Sequence, residues 1–143
     1  MIPVHILLVE DNEGDILLTT EALEEFKICN KLSVVRNGKL AIDFIQKKGE
    51  FKDVERPDII ILDINLPLKN GVEVLEVIKS DSETKSIPVI MLTTSSSETD
   101  IVKSYANNAN AFITKPMDVV DFLKAIMGIE DFWLNIVQLP KTN

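Results

Sequence analysis

Residues 58–71 read DIIILDINLPLKNG, in which four consecutive apolar residues are followed by Asp63 and then by a polar loop. A short apolar run without alternation is typical of a parallel strand that is covered on both faces. We therefore take Asp58 to Asp63 as a buried strand with a carboxylate at its carboxyl end. Runs rich in Val, Ile and Leu also occur at His5 to Glu10, Leu32 to Arg36, Pro88 to Thr93 and Ala111 to Lys115. Leu32 to Arg36 is the weakest of these patterns.

Helical patterns follow the five runs along the chain. Apolar residues at helical spacing are Leu18, Ala22 and Phe26; Ala41, Phe44 and Ile45; Val74, Leu75 and Ile78; Ile101, Val102 and Tyr105; and Val119, Phe122, Leu123 and Ile126. Strands that alternate with helices predict an α/β fold with a doubly wound parallel sheet, right-handed crossovers and helices on both faces. Ligands of such sheets bind beyond the carboxyl ends of the strands.

Composition limits the classes of function. The 143 residues carry 15 Lys and Arg against 23 Asp and Glu, a net charge of −8, which disfavours binding to nucleic acids and anionic membranes. This length suits one domain. The apolar runs are far shorter than the roughly 20 residues that a membrane span needs, the first residues do not resemble a signal peptide, and Cys29 is the single cysteine. We expect a cytoplasmic protein.

Polar side chains gather where the predicted strands end. Glu10 and Asp11 end the first strand, Asp63 the third, Thr93 and Thr94 the fourth, and Lys115 the fifth. Carboxylates on neighbouring strands would repel each other by roughly 3 kcal/mol per pair. A hard divalent cation offsets this repulsion, and Mg²⁺ accepts one or two carboxylates while leaving room for phosphate. The strand ends therefore predict an open Mg²⁺ site.

Phosphoryl transfer is the chemistry that this set of groups favours. With the cation in place, a carboxylate can attack a phosphoryl group, because the metal and an ammonium offset the charge of the incoming oxygens. Lys115 can supply the ammonium, and Thr93 can donate a hydroxyl hydrogen bond to a phosphoryl oxygen. The predicted product is an aspartyl phosphate.

Four motifs carry a family resemblance: ILLVEDN at 6–12, ILDINLPLKNG at 61–71, PVIMLTT at 88–94 and FITKP at 112–116. In this order they resemble response regulator receiver domains of two-component signalling, over residues 4–127. The resemblance implies a flavodoxin-like sheet of five strands in the order 2-1-3-4-5, flanked by five helices. It also implies a phospho-acceptor rather than an enzyme, one that catalyses only its own phosphorylation and dephosphorylation.

The resemblance assigns a role to each strand-end residue. Asp63 would be the phospho-acceptor, and Mg²⁺ or Mn²⁺ would be held by Glu10, Asp11, Asp63 and the backbone carbonyl of Asn65. Lys115 would pair with the phosphoryl group. Thr93 would be the switch hydroxyl and Phe112 the switch aromatic, which together change the surface formed by the fourth helix, the fifth strand and the fifth helix. Many relatives have two aspartates where this chain has Glu10 and Asp11.

The C-terminal extension, residues 128–143, is rich in apolar residues. The segment FWLNIVQLP at 132–140 resembles small stand-alone regulators that serve phytochrome-type sensor histidine kinases. Relatives of this type are commonly homodimers, so we expect packing or self-association through Phe132, Trp133, Ile136, Val137 and Leu139. Without an effector domain, output would pass through protein contacts or to a phosphotransfer protein.

Two other classes of protein place an acid or a phosphate at similar strand ends. A phosphatase of the haloacid-dehalogenase type needs a second aspartate two residues after the nucleophile, where this chain has Asn65. A flavodoxin-like FMN carrier needs a phosphate-binding loop after the first strand, where Glu10 and Asp11 would repel the phosphate. His5 begins a strand, which favours a structural role over phosphoryl transfer.

Overall fold

The computed structural model describes residues 4–25, 30–93 and 111–114, with side chains for residues 5–21 and 31–92. The strands are β1 (Val4–Val9), β2 (Asn30–Val35), β3 (Ile59–Asp63), β4 (Val89–Thr93) and β5 (Ala111–Thr114), and the α-helices among these residues are α1 (Glu13–Glu25), α2 (Gly38–Gln46) and α3 (Gly71–Ser80). The strands form one parallel sheet in the order β2-β1-β3-β4-β5. The predicted doubly wound fold is confirmed. The fourth and fifth predicted helices lie outside the described residues.

The three central strands β1, β3 and β4 are buried on both faces, as the unbroken apolar runs predict. On one face, alternate strand residues pack with α2 and α3 into a single core that includes Leu7, Val9, Ile60, Leu62, Val89 and Met91. The residues between them point to the other face and are equally buried, among them Ile6, Leu8, Ile59, Ile61, Ile90 and Leu92. The predicted helix positions Ala41, Phe44 and Ile45 of α2 and Val74, Leu75 and Ile78 of α3 are all buried.

The connection from α2 to β3 is more than the charged surface loop that its sequence predicts. It contains a 3₁₀ helix at Gly49–Phe51, and Phe51 lies 5.2 Å from Phe44 between ring centroids. Arg56 donates a hydrogen bond from Nη2 to Glu83 Oε2 at 3.0 Å. Sequence pattern did not reveal this packing, because apolar periodicity does not show that Phe51 turns back onto Phe44 or that Arg56 pairs with Glu83, 27 residues further along the chain.

His5 lies near the amino end of β1, at the opposite end of the strands from the acids. Its side chain is only 4% exposed, and Nε2 lies 2.8 Å from Ser33 Oγ on β2. Its backbone N–H donates to Asp58 Oδ2 at 2.8 Å, and its carbonyl accepts from the Asp58 N–H at 2.7 Å. These bonds join β1 and β2 to the residue before β3, which is a structural role.

Burial makes His5 a source of pH-dependent stability. Desolvation, followed by the charge of Lys31, lowers the pKa of His5 below 6.5, and this is only partly offset by the Arg56 carbonyl, Asp58 and Glu55. As pH falls below 6.5 the unfolded chain takes up a proton that the folded chain does not, so the free energy of unfolding falls until the lower folded pKa is reached.

We therefore expect His5→Gln to lose less stability than the wild type between pH 7.5 and pH 5.5. Urea unfolding at both pH values measures this, and His5 is the single histidine of the chain. Ser33→Ala is the control, because it keeps the imidazole and with it the pH dependence. Equal losses in the wild type and His5→Gln would contradict the assignment.

Among the described residues, no helix combines the length and the apolar character that crossing a bilayer requires. The predicted extension at residues 128–143, with the proposed contact residues Phe132, Trp133, Ile136, Val137 and Leu139, lies outside the part of the chain that the structure describes.

Candidate metal centre

The register of the sheet sets Glu10 beside Asp63. Val9 of β1 is paired with Leu62 of β3, so the next residue of each chain segment is an acid, at the same level of the sheet. Asp11 follows Glu10 at the start of the connection to α1. Oxygens of the three carboxylates lie within 4.8 Å of one another. The structure therefore brings together the three acids that the strand ends predict.

Two of these acids are buried and each is oriented by a backbone amide. Glu10 is 2% exposed and Asp63 is 6% exposed, whereas Asp11 is open to solvent. The Asn12 N–H donates to Glu10 Oε1 at 3.1 Å, and the Asn65 N–H donates to Asp63 Oδ1 at 3.1 Å. In both cases the donor is an asparagine two residues after the acid. These bonds hold the two carboxylates in fixed orientations at the carboxyl ends of β1 and β3.

The loop of residues 64–71, which we call the β3–α3 loop, is tightly folded. The Leu66 N–H donates to the Ile64 carbonyl at 3.1 Å, and the Lys69 N–H to the Pro67 carbonyl at 2.9 Å. Gly71 closes the loop by donating to the Ile64 carbonyl at 2.8 Å. A Cβ at Gly71 would collide with the Asp63 carbonyl oxygen and stand 2.7 Å from Ile64 Cα, so glycine is required for this approach.

Leu68 adopts a strained conformation at the tip of this loop. Its φ is +70°, in the left-handed region, and its side chain is 72% exposed. The left-handed conformation costs a non-glycine residue roughly 1–2 kcal/mol. The exposed side chain offers little burial to offset that cost.

We expect Leu68→Gly to raise the free energy of unfolding by about 0.5–1 kcal/mol, because relief of the strain exceeds the added entropy of glycine in the unfolded chain. Urea denaturation measures the difference. Lys69→Gly is the matched control: Lys69 is not among the positive-φ residues, so the same change there should lower stability. A stability loss in Leu68→Gly would show that the loop is not strained at this position.

The acid cluster fits a small divalent cation. Oxygen atoms bound to one Mg²⁺ lie about 3–4 Å apart, given bonds of about 2.1 Å in octahedral geometry. The carboxylate oxygens are already within 4.8 Å, and exposed Asp11 can turn inward at little cost. An open groove of about 710 Å³ borders the cluster and is lined by Asp11, Asn65 and Glu73 among others. Asp11 is the cluster acid that this groove exposes, and Ile64 and Asn65, which follow Asp63, line it as well.

The remaining predicted site residues are described less fully. Thr93 is the last residue of β4 and Phe112 lies in β5, paired with Met91, and only their backbones are described. Lys115 lies one residue beyond β5, outside the described residues. Asp63 pairs with Leu92, and Leu92 pairs with Ile113. The carboxyl ends of β4 and β5 therefore lie at the same end of the sheet as Glu10 and Asp63.

Sequence reasoning missed the groups that orient the acids. It singled out the Asn65 carbonyl but not the N–H groups of Asn12 and Asn65, nor the need for glycine at position 71. The recurrence of asparagine two residues after an acid, in EDN and DIN, is the signal that could have indicated these turns.

Comparison with known proteins identifies close relatives. The family described as response regulator receiver domain matches residues 6–127. The chain is 44% identical over 138 residues to response regulator Rcp1 of Synechocystis sp., covering 96% of this chain and 94% of that protein. The phosphorylated cyanobacterial phytochrome response regulator RcpA superposes with a TM-score of 0.96 at 43% identity, covering 98% of this chain and all (100%) of the other. The Mn²⁺-bound form of Rcp1 superposes at 0.94 with 44% identity, covering 97% and 100%.

Proposed function

The chain belongs to the response regulator receiver domain family, and from this premise we propose that Asp63 accepts a phosphoryl group from a sensor histidine kinase. Receiver domains are signalling phospho-acceptors in two-component systems rather than enzymes that turn over a small molecule. The observation that carries the proposal is the cluster of Glu10, Asp11 and Asp63 at one edge of the sheet, with Asp63 nearly buried yet next to an open groove.

In the proposed reaction an Asp63 carboxylate oxygen attacks phosphorus in line with the leaving group. The new bond joins Asp63 to the phosphoryl group, and the bond from phosphorus to the donor nitrogen or oxygen breaks with its electrons going to the donor. Glu10, Asp11, Asp63 and the Asn65 carbonyl would hold Mg²⁺ or Mn²⁺, which supplies positive charge for the phosphoryl oxygens. The Asn65 N–H, which donates to Oδ1, would hold the Asp63 carboxylate in a fixed orientation for attack and for metal binding.

Output from the phosphorylated site is proposed to run through β4 and β5. Thr93 would bond a phosphoryl oxygen, Lys115 would pair with the phosphoryl charge, and Phe112 would move inward as Thr93 is drawn toward the site. The surface on either side of β5 would then change its contacts with a partner or a phosphotransfer protein. Thr93 and Phe112 lie in adjacent strands, with β4 and β5 in register, and this supports their coupling.

The named relatives support a phytochrome-like histidine kinase as the phosphodonor, since RcpA is described as a phytochrome response regulator. We also propose that the chain acts in the cytoplasm, and that residues 128–143 form a homodimer contact through the apolar side chains at 132–139.

Intact mass spectrometry tests the proposal directly. The wild type, incubated with acetyl phosphate and Mg²⁺, should gain the mass of one phosphoryl group, and the same mixture with EDTA should not. Sedimentation of the two samples reports whether phosphorylation changes the number of subunits. No mass gain in the presence of Mg²⁺, or an equal gain with EDTA, would rule out the proposed reaction.

A further inference from the structure

An Asn-Gly pair occurs twice in the chain, and each pair begins a helix next to the β3–α3 loop. Asn37 and Gly38 begin α2, and Asn70 and Gly71 begin α3. The asparagine caps its helix in both cases: Asn37 Oδ1 accepts from the Leu40 N–H at 2.8 Å and Asn70 Oδ1 from the Glu73 N–H at 3.0 Å. The glycine of each pair is buried. The two helix starts are therefore built alike and both meet the same loop.

Gly38 touches this loop backbone to backbone. Its N–H donates to the Pro67 carbonyl at 3.2 Å. A Cβ at Gly38 would overlap the Lys69 carbonyl oxygen and stand 2.6 Å from the Lys69 carbonyl carbon. Backbone atoms cannot swing aside as a flexible side chain can. Any side chain at position 38 must therefore displace residues 67–69, or α2 itself.

Displacement of residues 67–69 would be transmitted to Asp63. Short-range hydrogen bonds link Leu66 to Ile64 and Lys69 to Pro67. Leu68 is already held in a strained conformation, so the loop backbone has few other conformations into which it can move. The same segment supplies the Asn65 N–H that orients Asp63 Oδ1 at 3.1 Å. Gly71 pins the other end of the loop against the Asp63 carbonyl. Where the loop moves rather than α2, a shift at the Gly38 end therefore reaches Asn65, only two residues before Pro67.

We propose that Gly38 is a positioning residue for the metal centre, acting from a different helix through the β3–α3 loop. The inference rests on the proposed function, because it assumes that a divalent cation binds beside Asp63, next to this loop. It adds a residue of α2 to the set that controls metal affinity.

Direct metal binding tests the proposal without requiring phosphorylation. Titration of Mn²⁺, followed by electron paramagnetic resonance of the free ion, gives the dissociation constant of the wild type and of Gly38→Ala. We expect binding to Gly38→Ala to be weaker by about tenfold, the lower end of the range for residues that orient metal ligands. Wild-type affinity in a folded Gly38→Ala would overturn the proposal.

Gly49→Ala is the matched control for a loss of stability. Gly49 has φ +58°, so a side chain there is strained, but its Cβ would meet nothing within 4 Å. The same chemical change therefore destabilises the chain without pressing on the loop. We expect Gly49→Ala to bind Mn²⁺ with wild-type affinity. Weakened binding in both variants would show that lower stability alone explains the effect and would overturn the proposal.

A second measurement uses the wild type and so does not depend on whether Gly38→Ala folds. In ¹⁵N-resolved NMR spectra recorded during a Mg²⁺ titration, the Gly38 amide resonance should shift because its acceptor, the Pro67 carbonyl, moves with the loop. The Gly49 amide should not shift. A Gly38 resonance that stays constant while the Asp63 and Asn65 amides shift would refute the coupling. If none shifts and no Mn²⁺ binds, the proposed function itself fails.

Discussion

Asp63→Asn, incubated with Mg²⁺ and acetyl phosphate, is expected to take up no phosphoryl group, whereas the wild type is expected to take up one. An amide oxygen is a far weaker nucleophile than a carboxylate and carries no charge with which to bind the cation. The substitution should leave the fold intact, because the amide oxygen of the new side chain could still accept the Asn65 N–H that Asp63 Oδ1 accepts at 3.1 Å. Intact mass after a fixed incubation time measures the loss.

The control is Asp53→Asn, the same chemical change at an exposed acid in the connection between α2 and β3. It should be phosphorylated like the wild type. Phosphorylation of Asp63→Asn at the wild-type rate would place the acceptor elsewhere. Peptide mapping of the phosphorylated variant would then locate it, with Asp11, the exposed acid of the same cluster, as the first candidate.

Sequence alone predicts the parts of this site that depend on strand order and register. The run at 59–62 is apolar at every position because β3 lies between β1 and β4 and is buried on both faces. A surface strand or a surface helix would need polar residues on its exposed side, so this run predicts a central strand. An acid at the end of this strand must then lie at the carboxyl edge of the sheet. The predicted strand limits differ from the observed ones by no more than two residues. Glu10, for example, lies one residue beyond β1 although its N–H still donates to the Val35 carbonyl at 3.1 Å.

The contacts that orient the site are not predictable in this way, because they join segments whose approach depends on tertiary packing. Nothing local to VRNGK at 35–39 indicates that the Gly38 N–H donates to the Pro67 carbonyl. The left-handed φ of Leu68 likewise contradicts local preference, since leucine avoids that region. It is maintained by the surrounding loop, and such strain tends to occur where function requires a fixed backbone.

The second large effect that we expect is a rise in the stability of the fold when the divalent cation binds. Two carboxylates whose oxygens lie within 4.8 Å of each other repel by about 3 kcal/mol or more at an effective dielectric constant of 20. A cation that binds the folded cluster and not the unfolded chain removes this repulsion. At a Mg²⁺ concentration one hundred times the dissociation constant, the free energy of unfolding should rise by about 2.7 kcal/mol. For a chain of this length that corresponds to an increase in Tm of roughly 5–10 °C.

Thermal unfolding with and without Mg²⁺, at constant ionic strength set with NaCl, separates binding from screening. Screening by salt acts on all exposed charges, and the Debye length is about 8 Å near 0.15 M whichever ions supply it. A site for Mg²⁺ should therefore give a Tm increase that NaCl at equal ionic strength does not. Asp63→Asn should lose most of that increase and Asp53→Asn should keep it. If NaCl raises Tm as much as Mg²⁺ does, the three acids are stabilised by diffuse screening, and their proximity does not make them a metal centre.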